Sequence, residues 1–189
     1  ARLNSRYDAI ISRNKALLTG KKVLDIGSHD GRWAFAALDS GAEYVFGIEP
    51  RPELVANASQ TFLDYEVSRD RYDFECVDIF QASSLQNFDV VLCLGFFYHT
   101  IRHAELLCLI EQSGADLVIL DTEVVPESTS DVRREMSDSR GIYGNPNEVK
   151  IFSELVDKEQ MAFRDPLTRN GSTLVGRPSK SAICYMANH

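Results

Sequence analysis

This 189-residue sequence lacks any apolar run near the ~20 residues that a membrane-spanning helix needs, so no membrane partner is expected. It opens on no charged-then-apolar leader, and a cytoplasmic protein is the expectation. Basic charge is also short. Against 28 acidic residues stand 20 lysines and arginines, a net charge of −8, which repels a phosphate-rich partner on average and makes nucleic acid a disfavoured ligand. The four cysteines, Cys76, Cys93, Cys108 and Cys184, have no paired spacing, so buried reduced thiols are expected rather than disulfides or zinc. No internal repeat or second composition is visible, and residues 1–189 read as one domain able to bury about 70% of its unfolded surface.

What is present centres on Val23-Leu-Asp-Ile-Gly-Ser-His-Asp-Gly31, an apolar run closed by an acid and two glycines that leads into Arg32-Trp-Ala-Phe-Ala-Ala-Leu38. That is a buried strand, a tight turn and an amphipathic helix, the first half of a βαβ unit. Ligands of open parallel sheets sit beyond the carboxyl ends of the strands, so Gly27 to Gly31 should touch whatever is bound. The spacing is Gly-x-x-x-Gly and not the Gly-x-Gly-x-x-Gly that cradles a pyrophosphate, which disfavours a dinucleotide. Roughly 18 residues beyond Gly31, where an acid grips a ribose, a second strand ends in Glu49. A third strand, Tyr72 to Val77, ends in Asp78-Ile79, and a fourth, Phe88 to Leu94, in Gly95-Phe-Phe-Tyr-His99.

In their order, Val-Leu-Asp-Ile-Gly, Gly-Ile-Glu, Val-Asp-Ile and Phe-Asp-Val-Val-Leu-Cys-Leu-Gly resemble motifs I to IV of the class I S-adenosylmethionine-dependent methyltransferases, over roughly Lys22 to Glu123. Leu94 to His99 resembles the segment of wobble-uridine carboxymethyl-type tRNA enzymes and of related small bacterial sugar O-methyltransferases. One departure is His29, where many members carry glycine. The resemblance implies an α/β, three-layer Rossmann-like methyltransferase fold with a mostly parallel seven-stranded sheet whose last strand is antiparallel. It implies S-adenosylmethionine as cofactor, held by Asp25, Gly27, Ser28, His29, Gly31, Glu49, Asp78, Ile79, Leu94 and Gly95. Asp25 would organise the loop and the donor's amino-acid end, and Asp78 would accept from the adenine amine, with Phe80 either on the ring or in the core.

Residues 1–20 read as a helix over the cofactor cleft or the sheet edge, its Arg2, Arg6 and Arg13 either solvated or facing an anionic acceptor. A fifth strand ends in Asp121-Thr-Glu123 at the acceptor side of the crevice. Residues 126–147 are polar and weakly periodic and read as a lid or acceptor-binding insert. A helix is expected from Asn147 to Gln160, a strand closing near Phe163, and a hairpin of Ser172–Val175 with Ser181–Met186 across Gly176-Arg-Pro178.

A sulfonium donor supplies the electrophile, and a hydroxyl acceptor then benefits from a general base or a divalent cation. Of four histidines, His99 follows the fourth strand and is the leading base, its alternative being a purely structural ring. Asp121 and Glu123 are the other catalytic candidates. With His103 they form a candidate site for a cation such as Mg2+. The expected partner is a small hydroxylated acceptor, with a sugar or oligosaccharide preferred. A tRNA wobble-uridine acceptor, or a non-catalytic cofactor-binding subunit, is the alternative.

Overall fold

The computed structural model describes residues 2–83, 85–127, 147–155 and 172–188. Strand β4, Val90–Leu94, is buried along its whole length, and its neighbour β1, Lys22–Ile26, from its second residue on. A strand covered on both faces reads as a continuous apolar run, the pattern of a parallel sheet between helices. Val90, Leu92 and Leu94 enter one apolar layer, and Val91 and Cys93 enter the other.

Five parallel strands form the sheet in the order β3-β2-β1-β4-β5, with β2 at Tyr44–Ile48, β3 at Tyr72–Glu75 and β5 at Leu117–Asp121. The first apolar layer is closed by α1, Arg2–Ile10, by α3, Arg32–Asp39, and by α4, Pro52–Asp64, after the short α2, Lys15–Leu18. Its centre is Phe62, fully buried, with ring centroids 4.6 to 5.5 Å from those of Tyr72, Phe74 and Phe35. Burial of such a ring stabilises the fold by about 2 to 3 kcal/mol. On the other face α5, His103–Gln112, packs Leu106 and Ile110 against Leu24, Ile26 and Val91. The result is the expected three-layer α/β architecture.

Among the described residues, the strands expected as one seven-stranded sheet fall as five in the central sheet and a separate antiparallel pair. Strand β6, Val149–Leu155, runs antiparallel to β7, Ser172–Pro178, and neither joins the central sheet. The helix expected from Asn147 is therefore a strand over Val149–Leu155, because β7 offers its backbone a complete ladder. The expected hairpin is also absent. Ser179 Oγ accepts from Ala182 N–H and starts a helix at Lys180–Ala187 in place of a returning strand. The expected strand near Phe163 and nearly all of the lid expected at 126–147 lie outside the described residues. All four cysteines are free thiols, but burial holds for Cys93 alone, since Cys76, Cys108 and Cys184 are exposed. Among the described residues no helix is long and apolar enough to cross a membrane.

Candidate functional site

Strand order reverses between β1 and β4, and there the crossovers leave a crevice at the carboxyl ends of the strands. A cleft of about 620 Å³ lies at that point. Its floor is the β1–α3 loop. Gly27 (φ +69°) and Gly31 (φ +76°) are left-handed, and a Cβ on Gly31 would stand 2.9 Å from the Ala58 Cβ. Glycine is thus required for the turn and for the approach of α4. His29 holds φ +53°, the conformation a glycine takes freely, so the departure noted in the sequence keeps the loop shape at some strain. Ser28 N–H donates to Ile48 O at 2.9 Å and ties the loop to β2.

Glu49 is 1% exposed at the end of β2 and faces the cleft. Its Oε2 accepts from His29 N–H at 3.1 Å, and its Oε1 from Arg51 N–H at 3.1 Å. The Arg51 guanidinium then reaches back, Nε to Oε1 at 2.7 Å and Nη2 to Oε2 at 3.2 Å. Four donors fill the acceptor positions of one carboxylate. A vicinal diol can be gripped there only if the Arg51 side chain leaves, while the two backbone donors stay. Replacing Arg51 by alanine is therefore expected to tighten binding of S-adenosylhomocysteine by about fivefold, since a competing charged hydrogen bond is worth on the order of 1 kcal/mol. Calorimetry reads this, and weaker binding would mean that Arg51 contacts the ligand itself.

Not every expected residue reaches the cleft. Gly27, His29, Glu49, Asp78, Ile79, Leu94 and Gly95 line it. Asp25, Ser28 and Gly31 do not line it, and Asp25, expected to organise the loop and the donor's amino-acid end, is buried at 1% exposure. Its Oδ2 and the Ser28 Oγ are buried polar atoms with no hydrogen-bond partner among the described residues. Burial, with the nearby charges of Glu49 and Asp30, pushes the Asp25 carboxyl up to about 7 against a hydrogen bond from Ala34. Asp78 Oδ1 accepts from Phe80 N–H at 3.0 Å and caps the turn Ile79–Gln81. Phe80 packs between Phe96 and the Arg102 guanidinium, 3.6 Å from its ring centroid, and does not line the cleft.

On the acceptor side His99, Asp121 and Glu123 all face the cleft. Arg6 of α1 meets Asp121 Oδ2 at 2.6 Å and lies over the Trp33 ring, so α1 borders the cleft, one of the two places open to it. Glu123 Oε2 lies 3.0 Å from Arg177 Nε. The cation site of Asp121, Glu123 and His103 is corrected. His103 is buried, with Nε2 3.1 Å from both Phe97 O and Gly176 O, and burial lowers its pKa, so a neutral ring donates to carbonyls and does not present itself to a metal. Among the described residues no three metal-ligating side chains gather. Sequence reasoning missed Glu154, whose Oε2 lies 2.9 Å from His99 Nδ1, and Phe96 and Thr173 in the cleft wall.

Residues 24–112 match the protein family described as "Methyltransferase domain". That match spans just under half of the chain. It is similar to the tRNA U34 carboxymethyltransferase of Pseudomonas putida (strain GB-1), 34% identical over 115 residues, which cover 57% of this chain and 34% of that protein. The enzyme of the same name from Dichelobacter nodosus (strain VCS1703A) is 34% identical over 107 residues, 54% of this chain and 33% of that protein. The matched residues thus span about a third of the length of these curated relatives. Among solved structures, the N-terminal domain of EvdMO1 with SAH bound superposes with a TM-score of 0.68 at 18% identity, over 96% of this chain and 69% of that one. That likeness shows the fold. The cleft fits an adenosyl donor in its own chemistry, having a buried carboxylate at the second strand and a glycine-turned loop beside it.

Proposed function

We propose that this domain binds S-adenosylmethionine in the cleft and transfers its activated carbon to a hydroxyl of a tRNA wobble uridine. The observation that carries the donor half is the buried Glu49 beside the Gly27–Gly31 loop at the switch point of the sheet. Glu49 would hold the ribose, Asp78 and Ile79 would meet the adenine, and Gly27, His29 and Gly95 would approach the methionine end. The sulfonium supplies an electrophilic carbon when bound, and the residues of the chain orient the acceptor and take its proton.

The acceptor half is supported by the relatives, whose name is tRNA U34 carboxymethyltransferase. Sugar O-methylation, the preference drawn from the sequence, ranks behind it. The EvdMO1 domain was also solved in the presence of SAH and D-fucose, but at 18% identity it lends this chain a fold and no substrate. Arg2, Arg6, Arg32 and Arg51 line the cleft of a chain whose net charge is −8. Three of them are paired, with Asp121, Asp30 and Glu49, so the RNA reading rests on relatives more than on a basic surface.

Incubation with labelled donor and either bulk tRNA or a sugar panel tests the proposal. Label is expected in tRNA, and the mass of the modified nucleoside tells methyl from carboxymethyl. Label in a sugar and none in tRNA would reverse the order of the two acceptors, and failure to bind S-adenosylhomocysteine would remove the donor.

A further inference from the structure

The carboxylate that meets His99 comes from β6, fifty-five positions along the chain. Several contacts hold it there. Register sets Glu154 of β6 opposite Thr173 of β7, and both line the cleft. Gly176 N–H of β7 donates to Thr100 O at 3.0 Å, one residue past the turn Phe97–His99. His103 Nε2 reaches Phe97 O on that turn and Gly176 O on β7, each at 3.1 Å, so one buried ring joins the two. A Cβ at Gly176 would stand 2.7 Å from this ring, and no larger residue fits. β7 is thereby fixed against the turn that carries His99, and β6 brings Glu154 to it.

We propose that Glu154 is the positioning residue of a His99–Glu154 pair that removes the proton from the acceptor hydroxyl, an inference resting on the group-transfer reading above. An ionised carboxylate only accepts, so Nδ1 of the neutral ring carries the hydrogen and Nε2 keeps its lone pair. The acceptor O–H gives its proton to Nε2. Its oxygen forms the new O–C bond as the C–S bond breaks with its electron pair going to sulfur, and the charged ring, stabilised by Glu154, returns its proton to water. The two side chains are 41% and 36% exposed, so solvent screens the pair and the contribution of Glu154 is modest.

Nitrogen-15 NMR of the ligand-free protein reads the His99 tautomer, with the His99→Ala spectrum assigning its signals. In the neutral ring, recognised by its own nitrogen shifts, the Nδ1–H form is expected to dominate and to give way to Nε2–H in Glu154→Ala. In turnover, His99→Ala is expected to lose about 10²-fold or more in kcat and Glu154→Ala about tenfold, with affinity for S-adenosylhomocysteine held within about twofold. The double variant is expected to be no slower than His99→Ala, because Glu154 acts only through the ring. A dominant Nε2–H form in the wild type, a tautomer unmoved by Glu154→Ala, or losses that add in the double variant would each overturn the proposal. If no acceptor is modified at all, the function reading and the base role fall together, and the tautomer shift alone still decides whether Glu154 orients the ring.

Discussion

Glu49→Ala is expected to weaken S-adenosylhomocysteine binding by about 2 to 3 kcal/mol, roughly 30- to 150-fold, the worth of charged hydrogen bonds to a buried diol. The side chain is 2% exposed, so water cannot take its place without cost. Two effects combine. The ligand loses its acceptor, and the backbone N–H groups of His29 and Arg51 lose theirs, which loosens the loop that shapes the cleft. Glu49→Gln separates them, since the amide keeps the volume and one acceptor oxygen while shedding the charge. Calorimetry should rank wild type, then Gln, then Ala. Equal affinity in all three would remove Glu49 from the donor site.

Much of this was legible because it is local. The run Val23–Gly31, the helix after it and the acid at the end of the second strand lie within about thirty residues, and periodicity with two glycines determines their conformation. Pro52 in the first turn of α4 is a local start signal of the same kind. The register of the second half is not local. Val149-Lys-Ile-Phe-Ser-Glu-Leu155 carries apolar residues at 149, 152 and 155 as a helix would, and at 149 and 151 as a strand would. Pairing with β7, across residues 156–171, decides between them. Ser181 to Met186 reads as a strand by composition, yet the Ser179 cap makes it a helix. Glu154 was invisible as a site residue because its function depends on that register, and His103 looked like a ligand because one of its two carbonyl partners, Gly176 O, comes from the distant strand β7.

Asp25 carries the other large effect, on stability and its pH dependence. Its carboxyl titrates near 7 when folded and at an ordinary carboxylate value of 3.8 when unfolded, so between these the folded state binds more protons. Stability from this group is therefore fully present below about pH 4 and is lost as pH rises through about 7, a fall on the order of 4 kcal/mol at 1.36 kcal/mol per pH unit. His103 opposes it in part of the window. Its lowered pKa means that the unfolded chain takes the extra proton, so its contribution rises with pH up to its ordinary 6.5. Asp30 and Asp89, whose pKa values are lowered by Arg32 and by the Lys22 backbone N–H, act below about pH 4. Comparison with Asp25→Asn cancels these other groups. Urea unfolding from pH 4.5 to 8.5 should show the asparagine variant gaining on the wild type steadily up to about pH 7 and holding a constant lead above it. The lead falls short of the full 4 kcal/mol by whatever the amide hydrogens lose where Oδ2 now has no partner. Parallel curves for the two proteins would mean that the buried carboxyl titrates normally, and water reaching it under the loop would then be the physical reason.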